Sequence, residues 1–228
     1  MSKLYIIATP IGNLKDITYR AVEVLGSVSL VAAEDTRRTR TLLNHYEIKT
    51  PVISYFEHNS FTRIPQIMNH LLDGNSLAVV TDAGTPGISD PAYRLIRAAI
   101  EHDIKIETIP GASAFLTALV GSGLPTDTFK FVGFLPPKKG RMSKLRRLAE
   151  SEGTLIFYEA PHRILKTLQD IHNIIGNRPA VIGRELTKLH EEIIRGTVQD
   201  LITHFRQKNP RGEFVLLIGK DDPNVYFK

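Results

Sequence analysis

Short apolar runs alternate with segments of helical periodicity along the first half of the chain. Residues 4–9 and 77–80 are apolar on both faces, which is typical of strands buried in a parallel sheet. Apolar residues recur at helical spacing in 17–28 and 95–100, which predicts helices. The predicted strands of this half are 4–9, 29–33, 51–55, 77–80 and 104–109, and its predicted helices start near residues 16, 61, 91 and 114. This alternation predicts an α/β fold.

Polar residues before two of these helical segments predict how the helices begin. Asp16 precedes the first helix and is suited to cap it. Ser89 or Asp90 precedes a helix whose first residue is predicted to be Pro91, a position where the missing backbone donor of proline does no harm.

A change of pattern in the middle of the chain predicts two domains. Residues 121–127 are rich in glycine, proline and small polar residues, as linkers are. We place the boundary between 113 and 128 and divide the chain into an N-terminal α/β domain, 1–115, and a C-terminal α/β domain, 116–228. The second domain has predicted strands at 129–134, 154–158, 180–186, 193–196 and 214–218, and predicted helices that follow residues 163 and 198.

Three predicted strands run into turns rich in glycine or proline, at 10–13, 81–91 and 110–113. In the longest of these turns, Gly84 and Gly87 allow positive φ and a close approach of the backbone to a ligand. Its length of roughly ten residues exceeds the ~2–6 that are usual for a connection in an α/β unit. Ligands of open α/β sheets bind beyond the carboxyl ends of the strands, so the turns predict a binding site made largely of main chain. An ordinary βα connection would have the same composition.

Composition bounds the class of protein. The 228 residues include 29 Lys or Arg against 24 Asp or Glu, and the formal net charge of +5 is compatible with a polyanionic partner without establishing one. Cysteine is absent, which rules out disulfides and thiolate metal sites and suits a reducing compartment. Neither a signal peptide nor an apolar run of ~18 residues is present, so we expect a cytoplasmic protein that does not span a membrane.

One cationic cluster is hidden by this modest net charge. The stretch 130–147 contains cations and no acid, namely Lys130, Lys138, Lys139, Arg141, Lys144, Arg146 and Arg147. Such a cluster attracts phosphates with an affinity that depends on salt and not on sequence. Arg37 and Arg38, in the charged run 34–40, extend the same surface if they lie on the same side. In both places the alternative is a solvated helix face.

Several familiar chemistries are excluded. The chain has neither a Walker loop nor the G-x-G-x-x-G fingerprint of dinucleotide-binding folds. His190 and Glu191 resemble the start of a zinc-binding H-E-x-x-H motif, but the fifth residue is Ile194, and we expect no metal site. Ser113 does not lie in a nucleophile elbow. His162, beside Arg163 at a predicted strand end, is suited either to catalysis or to capping and core hydrogen bonding.

Ordered sequence blocks along nearly the whole chain resemble the ribosomal RNA small-subunit methyltransferase I family. The blocks are 9–14, 33–37, 82–86, 110–111, 123–125, 133–136, 157–159, 184–188 and 212–213. The resemblance implies two α/β domains of the tetrapyrrole-methylase type with S-adenosylmethionine in the cleft between them, usually in a homodimer. It also implies 2′-O-methylation of the ribose of a cytidine in the decoding region of small-subunit rRNA. The expected partner is this rRNA or the assembled small ribosomal subunit.

The same resemblance implies roles for individual residues. The N-terminal domain is expected to supply the cofactor loops and the acceptor side, and the C-terminal domain to complete the cofactor cleft and carry the basic surface. Expected cofactor contacts are Pro10, Gly12, Asp82, Gly84, Thr85, Ser113, Ala114, Tyr158 and Leu186. Asp35 and Glu185 are expected to act as acid, base or orienting groups. Expected RNA contacts are Arg37, Arg38, Lys138, Lys139, Arg141 and Lys188. For Glu185 and Lys188, a surface ion pair at helical spacing is the alternative.

Two other functions remain open. A relative that acts on a tetrapyrrole-like small molecule or a protein side chain would share the cofactor cleft but would not need the basic run. A non-catalytic RNA-binding assembly factor would retain a vestigial pocket. Members of the family usually continue past the last strand into a helical extension, whereas this sequence ends at Lys228. If that extension helps to hold RNA, we expect this version to bind RNA more weakly, or to be a shortened form.

Overall fold

The computed structural model describes residues 2–207 and 210–227 and divides the chain into two compact units, Met1–Ser113 and Ala114–Lys228. Each unit is built around its own five-stranded sheet with helices packed against it. The boundary drawn from the sequence lies two residues further along the chain, after residue 115.

The first unit is a parallel sheet with helices on both faces, in the strand order β3-β2-β4-β1-β5. Its strands are β1 (Lys3–Ile7), β2 (Leu30–Ala33), β3 (Val52–Ser54), β4 (Leu77–Val80) and β5 (Lys105–Ile109). Its helices are α1 (Tyr19–Ser27), α2 (Thr36–His45), α3 (Ser60–Leu72) and α4 (Ala92–Glu101). The predicted α/β fold is confirmed, and the predicted strands and helices match these elements to within a few residues. Helix α2 was not among them, because the charged run 34–40 was considered a helix face only as an alternative.

The central strand β4 explains why the sequence shows unbroken apolar runs. Leu77 and Val79 pack into a core cluster with α3 and α4, whereas Ala78 and Val80 pack on the opposite face with α1 and α2. Successive side chains of a strand point to opposite faces, so a strand covered on both sides has to be apolar at every position.

The second unit is a mixed sheet in the strand order β6-β7-β10-β8-β9. Its strands are β6 (Phe129–Phe134), β7 (Thr154–Glu159), β8 (Pro179–Arg184), β9 (Glu192–Thr197) and β10 (Phe214–Ile218). Its helices are α5 (Ala114–Ser122), α6 (Arg141–Ala149), α7 (Ile164–Ile174) and α8 (Val198–Gln207). Because β6 is parallel to β7, and β10 is antiparallel to both β7 and β8, the carboxyl ends of β6, β7 and β8 meet at one edge.

The core of the second unit lies mainly on one face of this sheet. Leu155 and Phe157 of β7 pack there with buried side chains of α6, α7 and α8. Helix α5 packs against the opposite face, where it buries Ala118 and Leu119. No helix among the described residues combines the length and apolarity that a membrane span requires.

Two helices begin differently from the sequence-based predictions. Asp16 does not cap α1, because it lies in a short 3-10 turn and Thr18 takes the cap position, with its hydroxyl accepting from the Ala21 amide at 3.1 Å. Helix α4 begins at Ala92 and not at Pro91. Its N-cap position is taken by Pro91, and the predicted cap Asp90 lies one residue earlier, where its Oδ1 accepts from the Ala92 amide at 2.9 Å.

Two glycine substitutions test the packing described here. At Gly153, a Cβ atom would lie 2.6 Å from the carbonyl oxygen of Thr128, so we expect Gly153→Ala to destabilise the protein by about 1–3 kcal/mol.

At Gly26, within α1, a Cβ atom would meet nothing within 4 Å, so Gly26→Ala should stabilise the protein by roughly 0.5–1 kcal/mol. Urea unfolding followed by circular dichroism measures both. An unchanged midpoint for Gly153→Ala would contradict the packing at the start of β7.

Candidate functional site

The three glycine turns predicted from the sequence lie at one edge of the first sheet. They follow β4, β1 and β5, which are neighbours in the strand order, so the prediction that these three strands share a sheet is confirmed. Thr9 and Gly84 exchange main-chain hydrogen bonds at 2.9 and 3.0 Å, and the Thr85 hydroxyl donates to the Ala112 carbonyl at 3.4 Å. The three turns are therefore bonded to one another.

Two of the glycines in these turns are required by the backbone, one for its conformation and one for a close approach. Gly84 has φ +85°, which a side chain would strain. A Cβ atom on Gly111 would lie 2.9 Å from the Cβ of Ala8, so only glycine lets the turn after β5 approach the end of β1 this closely. The carboxylate of Asp90 accepts from the amides of Gly87 and Ala92 and thereby ties the long turn to the start of α4.

A cluster of acidic residues lies where β2 and β4 end side by side. Oε2 of Glu34 accepts from the Thr81 hydroxyl at 2.6 Å and from the Asp82 amide at 3.4 Å. Oδ1 of Asp82 accepts from the Asp35 amide at 2.9 Å, and its other oxygen lies 3.4 Å from Arg38. Partial burial raises the pKa of Asp82, and nearby Glu34 adds to this, while the Asp35 amide and Arg38 oppose it. Asp82 is thus a carboxylate whose charge is only partly compensated.

Glu34 is a member of this cluster that the sequence reasoning did not single out. It is the first residue after β2, and the neighbouring strand β4 ends beside it. The signal was its position at a strand end next to Asp35, but only the pairing of β2 with β4 brings it to Thr81 and Asp82.

Asp35 is held by the start of its own helix. It caps α2 by accepting from the Arg37 amide at 2.8 Å, and its carboxylate also accepts from the guanidinium of Arg37 at 2.7 and 3.1 Å. These bonds hold the pKa of Asp35 well below its ordinary value. The carboxylate therefore stays ionised at neutral pH and is a weak base. The side chains of Arg37 and Arg38 are exposed.

In the second unit, the predicted residues lie where β7 and β8 end. Tyr158 is half-buried near the end of β7, and Leu186 is buried just after β8. The residues on either side of Leu186 both have positive φ, +49° for Glu185 and +64° for Thr187. A β-branched residue rarely adopts this conformation, and such strain clusters at functional sites. This turn is the most strained feature of the edge.

Glu185 organises a small network beside this turn. Its Oε1 accepts from Lys188 Nζ at 2.8 Å and from the Glu213 amide at 2.9 Å, and Lys188 also lies 3.0 Å from the Glu213 carboxylate. Burial would raise the pKa of Glu185, but the bonds from Lys188 and the Glu213 amide outweigh it and lower the pKa. The ion pair considered from the sequence is present, although it spans a strained turn and not a helix. A Cβ atom on Gly212 would lie 2.5 Å from the Cγ of Glu185, so the network requires glycine there.

The basic run of the sequence divides into exposed and buried members. Lys138 and Lys139 are exposed in the loop between β6 and α6. Arg141 has only 4% of its side chain exposed, and it donates to Asp170 at 2.7 Å and to the Thr167 hydroxyl at 2.8 Å. We therefore remove Arg141 from the predicted RNA contacts, because its guanidinium is committed to the interior.

The other predicted residues occupy strand ends or turns. Pro10 is buried and Gly12 is exposed in the turn after β1. Ser113, in the turn after β5, and Ala114, the first residue of α5, are half-buried. His162 is exposed in the turn before α7. The site residues of the first unit thus share one sheet edge, and those of the second unit share another.

Comparison with known proteins gives consistent relatives. The family model described as tetrapyrrole (corrin/porphyrin) methylases matches residues 3–202. A protein of Thermotoga maritima is 48% identical over 97% of this chain and 100% of its own length. A protein of Synechocystis is 50% identical over 98% of this chain and 81% of its own length. A protein of Halalkalibacterium halodurans is 49% identical over 94% of this chain and 75% of its own length. All three are named ribosomal RNA small subunit methyltransferase I.

Similar solved structures support the fold. A cobalt precorrin-4 methyltransferase of cobalamin biosynthesis has a TM-score of 0.70 at 21% identity and covers 95% of this chain and 94% of its own. The uroporphyrin-III-C-methyltransferase of Thermus thermophilus has a TM-score of 0.69 at 17% identity, and the match covers 96% of this chain and 95% of that protein. At this identity the likeness extends to the fold alone.

Substitutions of Asp35 test the electrostatics at the start of α2. Asp35→Asn keeps an oxygen for the Arg37 amide but loses the charge, whereas Asp35→Ala loses both. At neutral pH we therefore expect the midpoint of urea unfolding to decrease from wild type to Asp35→Asn to Asp35→Ala.

The pH dependence of this difference has a definite sign. The folded-state pKa of Asp35 lies below its ordinary value of 3.8, so the charge stabilises the protein fully above that value. The difference between wild type and Asp35→Asn should be constant between about pH 7 and pH 5.5 and should shrink progressively below about pH 4. A difference that instead grows on acidification would show that the pKa is not lowered.

Proposed function

The chain belongs to the tetrapyrrole methylase family and, within it, to the ribosomal RNA small subunit methyltransferase I proteins, and we propose that it methylates small-subunit rRNA. It is an S-adenosylmethionine-dependent methyltransferase. The observation that carries the rRNA assignment is the identity of 48% to a relative that the chain spans from end to end.

The proposed reaction is 2′-O-methylation of the ribose of a cytidine in the decoding region, as the resemblance of the sequence implies. The rRNA is the proposed partner, either free or in the assembled small subunit. We infer a cytoplasmic homodimer, because small subunits are in the cytoplasm and relatives of this type usually pair. A tetrapyrrole acceptor is not favoured, because the two tetrapyrrole methyltransferase structures compared above share only the fold, at 17–21% identity.

The linked turns of the first unit fit the methyl donor. When bound, S-adenosylmethionine supplies a methyl group on a positively charged sulfonium, which a nucleophile displaces directly. Pro10, Gly12, Gly84, Thr85, Ser113 and Ala114 offer mostly main-chain contacts. Asp82 adds a partly buried carboxylate, and the burial that raises its pKa means that a nearby cation would stabilise its charged form. The corresponding assignment of Tyr158 and Leu186 stays a prediction.

The proposed acidic residues orient groups and do not remove protons. A general base works best when its pKa lies near the working pH, but the pKa values of Asp35 and Glu185 are both lowered by their partners. The pKa of Lys188 is raised by Glu185 and Glu213 despite its partial burial, so Lys188 stays protonated. Positioning of donor and acceptor therefore carries most of the proposed catalysis, which is reasonable because alignment alone contributes roughly 7–11 kcal/mol.

Exposed cations supply the proposed contacts with RNA phosphates. Arg37 and Arg38 lie at the start of α2, and Lys138 and Lys139 lie before α6. Lys188 contributes less net attraction, because its charge is shared between the carboxylates of Glu185 and Glu213.

Mapping of ribose methylation tests the proposed function. In cells that lack the gene, wild-type protein should restore one 2′-O-methylcytidine in the decoding region. Asp82→Asn at equal expression should reduce that modification at least about tenfold, since the lost charge removes more than about 1.4 kcal/mol of donor binding. The matched control is Asp73→Asn, an exposed carboxylate after α3 at the opposite edge of the sheet.

Each alternative function gives a different result in this experiment. Unchanged rRNA methylation with and without the protein would refute an rRNA substrate. Recovery of subunit assembly by the wild-type protein with no methyl group added to the rRNA would instead indicate a non-catalytic assembly factor.

Salt dependence tests the proposed phosphate contacts. On a logarithmic plot of affinity for single-stranded RNA against salt concentration, we expect Lys138→Ala and Lys139→Ala each to reduce the slope by about 0.7. The control is Lys105→Ala, at the amino end of β5 and far along the strand from the turns. Slopes equal to that of the wild type would place the RNA elsewhere.

A further inference from the structure

The edge strand β6 contains a bulge that turns one phenylalanine onto an unexpected face. In a regular strand, Phe131 and Phe134 would point to opposite sides of the sheet because they are three residues apart. Here Phe131 pairs with Ile156 and Phe134 with Tyr158, two residues of β7 that share one face. One extra residue of β6 lies between Phe131 and Gly133, and the positive φ of Gly133, +66°, lets the backbone accommodate it. Bulges of this kind re-aim side chains, often beside active sites.

The re-aimed ring joins an aromatic cluster and yet stays in contact with solvent. The centroids of Phe131 and Phe134 lie 5.1 and 5.6 Å from that of Tyr158. Phe115 lies 4.6 Å from Phe131 and completes the inner part of the cluster. Phe134 nevertheless remains 52% exposed. A bulge that served core packing would bury the ring that it redirects. Because half of the Phe134 ring stays exposed, core packing does not explain the bulge.

The backbone of the loop that follows Phe134 is held by hydrogen bonds just before two exposed cations. The carbonyl of Leu135 accepts from Arg163 at 2.6 Å, and that of Pro136 accepts from Arg141 at 3.3 Å. Both guanidinium groups belong to a network that also contains the buried carboxylate of Glu159. This network fixes the first residues of the loop, and the exposed Lys138 and Lys139 follow directly.

We propose that Phe134 is a stacking platform for an unpaired base of the RNA substrate, and that Lys138 and Lys139 bind phosphates of the same strand. Proteins recognise single-stranded RNA by stacking its bases on aromatic rings, and this works for any base because every base has a π face. The adjacent positive charge selects a polyanion over an uncharged apolar partner. This inference rests on the proposed function and deepens it, because it assigns the RNA an unpaired nucleotide at a defined ring.

The test compares three substitutions in the full chain. The probe is a fluorescein-labelled single-stranded RNA with the decoding-region sequence, and its binding is measured by anisotropy. Phe134→Ala and Phe134→Leu should each weaken binding by about tenfold, whereas Phe134→Trp should bind at least as well as wild type, because leucine keeps apolar area but cannot stack. Affinity for S-adenosylmethionine, measured by calorimetry, should not change. Met142→Ala, at an exposed apolar residue of α6, is the control and should bind RNA like wild type.

Each contrary result has a distinct meaning. Wild-type affinity in Phe134→Leu and Phe134→Ala would overturn the stacking role while leaving the proposed function intact. A matching loss of S-adenosylmethionine affinity would assign the ring to the methyl donor, and conversion of a dimer into monomers in light scattering would assign it to a second copy of the chain. If the wild-type protein bound none of this free RNA, the stacking of an unpaired base would be refuted, whereas the proposed function, which also allows the assembled small subunit as substrate, would still be decided by the mapping of ribose methylation.

Discussion

The paired main-chain hydrogen bonds between Thr9 and Gly84 are the constraint on which the proposed donor site depends. They join the turns after β1 and β4 beyond the ends of those strands, where the sheet itself no longer holds the backbone. The turn after β5 is added by its close approach to Ala8 and by the bond from Thr85. A ligand held by main-chain groups needs those groups to be fixed before it binds, since ordering them on binding would reduce affinity. The bonds supply that order.

The acidic residues at the strand ends differ in how fully their charges are compensated. Asp35 and Glu185 each have a cation and a backbone amide as partners, which makes them structural anions. Asp82 has a weaker partner in Arg38 at 3.4 Å and a neighbouring acid in Glu34. Because a partly buried carboxylate whose charge is only partly compensated is stabilised by a further cation, Asp82 is the acid of this group best suited to a positively charged ligand.

The sequence predicted most of the fold and part of the site, and the reasons differ from residue to residue. Strands such as β4 were predictable because burial on both faces leaves an unbroken apolar run. The glycine turns were predictable because positive φ and long loops have a compositional signature. The cap of α1 was assigned to Asp16 and not Thr18, because both residues are good caps and the intervening 3-10 turn leaves no signal in the sequence.

Long-range packing accounts for what the sequence could not reveal. Arg141 stood in a run of cations, and its burial depends on Thr167 and Asp170 of α7, which only the fold brings to it. Removing one partner from such a buried pair costs about 3–5 kcal/mol, so the residue belongs to the framework. Phe134 was one of several phenylalanines on a predicted strand, and strict alternation would have placed it opposite Phe131.

The proposed RNA contacts also bear on how one fold can serve different acceptors. Tetrapyrrole methyltransferases share this architecture at 17–21% identity, so the arrangement of strands does not by itself determine what is methylated. The turns of the first sheet act largely through main chain, which tolerates sequence change around the required glycines. In the proposed function, side chains at strand ends distinguish the acceptor, namely the exposed cations and the ring re-aimed by the bulge. A flat aromatic face next to positive charge suits a base and its phosphate, and it accounts for a strand that departs from regular pairing to present it.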